Sequence, residues 1–158
     1  MPKVVSNSSP LIHLAKINRL DLLKSYFQNV IISEAVYREC VVDGKDRHDV
    51  ELIKKADWIK LFKIKDQRLT RILQTQLDFG ESETIVLSLE IGADLILLDD
   101  YDARQKARLF GLKITGTLGI LLRAKIDGKI KILKEEIEKL KLNGFRSSAG
   151  MLSISIPR

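Results

Sequence analysis

A chain of 158 residues with 45% hydrophobic side chains has the length of one domain and enough apolar material for a core, which excludes wholesale disorder. The net charge of +6 and the pI of about 9.4 permit a nucleic-acid partner without demanding one, because lysine-rich surfaces are also ordinary solvation. The lone cysteine, Cys40, excludes an intrachain disulfide and a cysteine-based zinc cluster, and no apolar run approaches the ~18 residues of a membrane span. A soluble, cytoplasmic protein without a signal peptide is expected. Lys, Glu, Ile and Leu are abundant while Gln, His and Cys are scarce, the composition of a thermophile.

Lys3 to Ser6 forms a short first strand running into Asn7-Ser8-Ser9-Pro10, where Ser9 is expected as N-cap and Pro10 as the first helical residue. Leu11, Leu14 and Ala15 share one helical face; after a break near Asn18, Leu20, Leu23 and Phe27 resume helical spacing. Val30 to Ile32 is the second strand. Ser33 caps a helix from Glu34 to about Val42, on which Glu39 lies on the apolar side with Ala35, Val36 and Cys40. A helix over 47–56, a third strand over 58–62, a helix over 67–77 and a turn at Asp78-Phe79-Gly80 follow. Glu81 to Ile91 is a helix apolar almost all round and therefore buried. The bounded apolar run Leu95 to Leu98 is the fourth strand, ending in Asp99, Asp100, Asp102 and Arg104. A helix from Tyr101 to Phe110, an edge-like strand at 113–115, a helix over 117–126 and a last helix marked by Ile130, Leu133, Ile137 and Leu140 complete the pattern. Met151 to Ile156 alternates as a short strand would. Strands alternating with helices imply an α/β fold with a parallel sheet. The chain is read as one domain over 1–158, with 144–158 a C-terminal tail packing on it.

In an open parallel sheet, ligands bind beyond the carboxyl ends of the strands. Adjacent aspartates there repel each other unless a cation compensates them, so Asp99 and Asp100 are read as facing a divalent metal. With strand order 3-2-1-4-5, Asn7 would stand opposite them across the crevice. Glu39 points inward from its helix. Glu81 shares a face with Thr84 and Ser88, a polar stripe suited to lining a cleft, while Glu83 lies roughly 200° around the helix. Only one of the two glutamates can enter a common site, and the stripe favours Glu81. Asn7, Glu39, Glu81 and Asp100, with Glu83 and Asp99 as alternates, then form a set of oxygen donors suited to Mg²⁺ or Mn²⁺. Arg104 and Arg108 share a helical face and are candidates for RNA phosphate contacts. Each feature alone has a plainer explanation: a turn and cap at Asn7 to Pro10, helix-dipole charge at Glu81, an i,i+4 ion pair between Asp100 and Arg104.

Five segments together resemble a PIN domain: Val4 to Ile12, Val36-Tyr37-Arg38-Glu39, Gly80-Glu81-Ser82-Glu83, Leu98 to Arg104, and Gly116-Thr117-Leu118-Gly119. The resemblance is closer still to the prokaryotic single-domain subgroup related to virulence-associated toxins. It implies a three-layer α/β/α fold around a five-stranded parallel sheet, and a Mg²⁺- or Mn²⁺-dependent ribonuclease. Its acidic positions fall on Asn7, Glu39, Glu81 and Asp100, with Ser9 as a supporting hydroxyl and Asp102 and Arg104 beside the last acid. The partners it implies are RNA, a small antitoxin protein and a second copy of the chain, with no membrane. Asn7 departs from the pattern, which has aspartate there. Asparagine is a neutral oxygen ligand, and fewer ligand charges hold a hard cation more weakly. The alternative is a PIN module that binds RNA or a protein without efficient hydrolysis. A receiver-like phosphoacceptor domain would need a further Asp and a Lys at other strand ends, and the sequence offers no match.

Overall fold

A computed structural model describes residues 2–44 and 47–146. Its sheet has five parallel strands, β1 (Val4–Ser6), β2 (Val30–Ile32), β3 (Ile59–Leu61), β4 (Leu95–Leu97) and β5 (Ile114–Thr115), in the order β3-β2-β1-β4-β5. The order is the expected 3-2-1-4-5. The helices are α1 (Ser8–Lys16), α2 (Asp21–Phe27), α3 (Glu34–Tyr37), α4 (His48–Lys55), α5 (Gln67–Leu73), α6 (Phe79–Ile91), α7 (Tyr101–Leu109), α8 (Thr117–Ile126) and α9 (Leu133–Leu142). No helix of the described residues is long and apolar enough to cross a membrane.

The strand residues alternate between two cores, which is why their runs are apolar without interruption. Val4, Val30, Ile32 and Leu97 enter a core with α1, α2, α4, α8 and α9, whereas Val5, Ile96 and Leu98 enter a second one with α5, α6 and α7. Helices thus cover both faces, giving three layers. Val5, Ile96, Leu97 and Leu98 are fully buried. Truncating any of them to alanine would cost about 2–5 kcal/mol.

Several boundaries differ from the sequence expectation. Asn7, not Ser9, is the N-cap of α1, and Pro10 is the third helical residue. Proline is tolerated there because the first four helical N–H groups lack intrahelical acceptors anyway. Ser9 is thereby freed for another role. Asp78-Phe79-Gly80 is not a free turn: Asp78 caps α6 and the helix begins at Phe79. The helix predicted over 67–77 ends at Leu73. The helix after β2 is α-helical only to Tyr37 and continues as a π-helical turn, Arg38–Val42, closed by the Asp43 N–H on the Arg38 carbonyl at 2.9 Å. Asn18, at the expected break, adopts a left-handed φ of 58°. The predicted strand over 151–156 and most of the 144–158 tail lie outside the described residues.

Candidate metal centre

The β1–β4 register pairs Ser6 with Leu97, and the Asn7 N–H donates to the Leu97 carbonyl at 2.9 Å. Both strands stop here, so Asn7 and the Asp99-Asp100 pair meet at the switch point of the sheet, where ligands bind in such folds. The resulting crevice, about 310 Å³, is lined on its acidic side by Asn7, Asp78, Glu81, Asp99 and Asp100. Ser8, Ser9, His13, Gly144, Phe145 and Arg146 line the remainder.

The two aspartates of the strand end have different tasks. Asp99, 7% exposed, accepts hydrogen bonds from Ser9 Oγ (2.9 Å), the Thr117 N–H (2.7 Å) and Thr117 Oγ1 (2.7 Å). It ties the end of β4 to α1 and to the start of α8. Gly116 leaves room for it: a Cβ there would stand 2.6 Å from Asp99 Oδ1 and 2.9 Å from Arg104 Nη1. Asp100 caps α7 with one oxygen only, Oδ2, accepting from the Ala103 N–H at 3.0 Å.

The glutamates also divide. Glu81 is the third residue of α6 and completes a capping box. Its N–H donates to Asp78 Oδ1 (2.8 Å), and its Oε1 accepts from the Asp78 N–H (3.1 Å). Oε2 makes no hydrogen bond among the described residues. Glu83 points away from the crevice and accepts from the Ala35 N–H at 3.0 Å, serving the start of α3. Glu39, on the π-helical turn, stands behind the crevice against the first turn of α6, where a methyl on Gly80 would overlap its Oε1. A π-turn inserts a residue into the helical repeat, and such turns recur at functional sites.

Three of the four buried side-chain atoms without a partner among the described residues, Asn7 Oδ1, Glu39 Oε1 and His13 Nδ1, belong to this crevice or its rear wall. The fourth, Asp49 Oδ2, lies elsewhere, near Arg47. Crowding of acids shifts their titration. Burial, then the charge of Asp78, raises the Glu39 carboxyl to about 7, with Asp43 and Glu83 adding to the rise and a Ser8 hydrogen bond opposing it. Burial also raises Glu81 to about 7; its hydrogen bond from the Asp78 backbone opposes this, while the charges of Asp78, Asp100 and Glu39 add to it. Each group resists ionising without a cation nearby.

The donor chemistry fits a hard divalent ion. Among the described residues Asn7 Oδ1 and Glu39 Oε1 are unsatisfied, and Glu81 and Asp100 each keep one oxygen outside their caps. Among the described residues, however, no three His, Cys, Asp or Glu side chains stand close enough to hold an ion by themselves. One donor of the set is an amide, and two are partly engaged as caps.

Other expectations are corrected. Thr84 and Ser88 do not line the cleft: they are fully buried and donate to the Gly80 and Thr84 carbonyls of their own helix. Asp102 lies on another face of α7, with Gln76 and Lys106. Arg104 makes no ion pair with Asp100 among the described residues: it is 9% exposed and donates to the Leu98 carbonyl at 3.2 Å, which turns it away from an exposed RNA-facing role. Arg108 is exposed but lines a separate cavity with Lys113 and Arg123. Of the crevice residues that sequence reasoning left out of the site, two had a signal present. Asp78-x-x-Glu81 has capping-box spacing, and His13 follows Ser9 by four, on the same helical face.

A doubly wound parallel sheet with a switch-point crevice lined by oxygen donors is consistent with the α/β/α architecture of a PIN domain. The PIN-domain family model matches residues 3–157, and the chain belongs to that family. A PilT N-terminus domain protein from the hyperthermophilic archaeon Sulfolobus solfataricus P2 has a similar structure, with a TM-score of 0.57 at 18% identity, covering 77% of this chain and 92% of that one. At that identity the likeness shows the fold. No curated protein sequence matches the chain. PIN domains are generally metal-dependent nucleases.

Proposed function

We propose that this chain is a Mg²⁺- or Mn²⁺-dependent endoribonuclease, the toxin of a type II pair restrained by a small antitoxin protein. The observation that carries the nuclease reading is the pair of buried, unsatisfied oxygens, Asn7 Oδ1 and Glu39 Oε1, beside two raised-pKa or half-engaged carboxylates. A buried acceptor without a donor costs about 1–3 kcal/mol, and a cation offsets that cost. Asn7, Glu39, Glu81 and Asp100 would hold the ion. Bound there, it would supply a water of lowered pKa and a counter-charge for the phosphodiester transition state. The remaining side chains position the site: Ser9 and Thr117 hold Asp99, and Asp99 holds the strand end from which Asp100 projects. The antitoxin and a homodimer follow from the subgroup resemblance, and a cytoplasmic location is proposed with them; copurification with the product of a neighbouring short gene and light scattering test the first two.

The test of hydrolysis is cleavage of structured RNA with Mn²⁺ by the wild type and by Asp100→Asn, with DNA in parallel. Asparagine caps helices as well as aspartate does, so this variant removes charge while keeping α7 capped. The variant should lose cleavage. Equal cleavage by both proteins would trace the activity to a contaminant.

Asn7 favours a second reading, a PIN module that binds RNA or a protein without efficient hydrolysis. Calorimetric Mn²⁺ titration separates the two. Binding by the wild type supports the enzyme, whereas binding that appears only in Asn7→Asp supports the module.

A further inference from the structure

The acidic crevice must also accept a polyanion if the nuclease reading holds, and among the described residues its lining contains a single permanent cation. That residue is Arg146. Its place is set by the end of α9. Gly144, at a φ of 89°, turns the chain after the helix, and the Phe145 N–H donates to the Leu140 carbonyl at 2.9 Å. Phe145 is 5% exposed and packs edge-on against the His13 ring, with centroids 4.9 Å apart and planes at 85°. The aromatic contact fastens the segment to α1, so that the exposed Arg146 lines the same crevice as the acids. His13 does not substitute for it. Burial holds the imidazole below its ordinary pKa, with the Asp99 charge opposing, and Nδ1 has no partner among the described residues. Arg146 makes no ion pair among the described residues, although Asp78, Glu81, Asp99 and Asp100 line the same space.

We propose that Arg146, seated by the Phe145–His13 contact, is the residue of this crevice that grips an RNA backbone phosphate next to the acidic centre. The role rests on the nuclease reading and deepens it. Arginine suits the task because its planar fork takes two phosphate oxygens and stays charged beside any neighbour. It also replaces Arg104 and Arg108, which the fold directs elsewhere.

The test is fluorescence anisotropy of a labelled single-stranded RNA oligonucleotide across a salt series. The proteins compared carry Glu39→Gln to prevent cleavage, alone or combined with Arg146→Gln or Arg146→Lys. Arg146→Gln should weaken binding about fivefold at low salt and make the slope of log K against log[salt] shallower by about 0.7, the loss of one phosphate contact on a single strand. Arg146→Lys should keep the slope. In the cleaving protein, Arg146→Gln should raise KM with kcat nearly unchanged, since the contact is made in ground and transition state alike. An unchanged slope in Arg146→Gln, or an equal fall in Arg146→Lys, overturns the assignment while leaving the nuclease reading intact. A parent protein that neither cleaves nor binds RNA overturns both.

Discussion

On the β4–α8 side of the crevice Asp99 uses both oxygens, taking three hydrogen bonds from Ser9 and Thr117. On the side of β1 and the π-helical turn, Asn7 Oδ1 and Glu39 Oε1 have no hydrogen-bond partner among the described residues. Asp99 on the first wall and Asn7 on the second are similarly buried, yet Asp99 serves stability while the second wall is left open for something the described residues do not supply. A carboxylate that the fold satisfies has little left to offer a ligand, whereas one that the fold leaves unsatisfied raises the energy of the empty protein and lowers it when a cation arrives.

The largest expected effect is on the unsatisfied wall. Glu39→Gln should reduce Mn²⁺-dependent RNA cleavage by about 100-fold or more, beyond the 10–100-fold typical of groups that only support a metal ligand. The melting temperature should not fall, because the change removes a buried carboxyl that resists ionisation. Cleavage within a few-fold of the wild type would erase the distinction between the walls. Next in size, Asp99→Ala should destabilise the protein by about 3 kcal/mol in urea unfolding, because it leaves the buried Thr117 donors and the half-buried Ser9 hydroxyl unpaired. Asp100→Asn should cost less than about 1 kcal/mol, since its cap survives. Equal losses from the two would show that neither aspartate is dedicated to the fold.

The pH dependence sharpens the contrast. Glu39 and Glu81 are raised from an ordinary 4.5 to about 7, so the folded state holds protons more tightly than the unfolded one between those values. Their contribution to stability is fully present below about pH 4.5 and is lost as pH rises through 7. In EDTA the melting temperature should therefore decline from pH 5 to 8 on their account. Mn²⁺ should flatten the decline, because binding favours the ionised acids and releases their protons. Identical profiles with and without Mn²⁺ would count against a cation at this wall. A smaller effect is expected from Gly80→Ala, which must displace Glu39 Oε1. Mn²⁺ affinity should drop severalfold in a calorimetric titration, and a change confined to stability would make the glycine a packing feature only. Ser9→Ala, which removes one of three bonds to Asp99, should cost about 1 kcal/mol in urea unfolding with Mn²⁺ affinity retained.

The layered α/β architecture was legible because the strands of a sheet covered on both faces are short uninterrupted apolar runs, and Val4-Val5, Val30 to Ile32 and Leu95 to Leu98 are of that kind. The break at Asn18 and the Ser33 cap were legible from local chemistry as well. Less so were helix starts, since Asn7, Ser8 and Ser9 are all good caps and only the β1–β4 pairing selects Asn7. The roles of charged residues were least legible. Arg104 and Arg108 are one turn apart and look equivalent in sequence, but Arg104 is drawn in by the Leu98 carbonyl and Arg108 is not.

Asp99-Asp100 marks the limit most clearly. Sequence by itself determined that acids follow a buried strand, that oxygen donors recur on four segments, and that asparagine stands first among them. Which of the paired aspartates is occupied and which keeps an oxygen outside its cap was decided by Ser9 and Thr117, residues 90 and 18 positions away from Asp99. Hydrogen-bond satisfaction depends on what the fold brings within about 3 Å, and sequence spacing carries no information at that distance across a sheet.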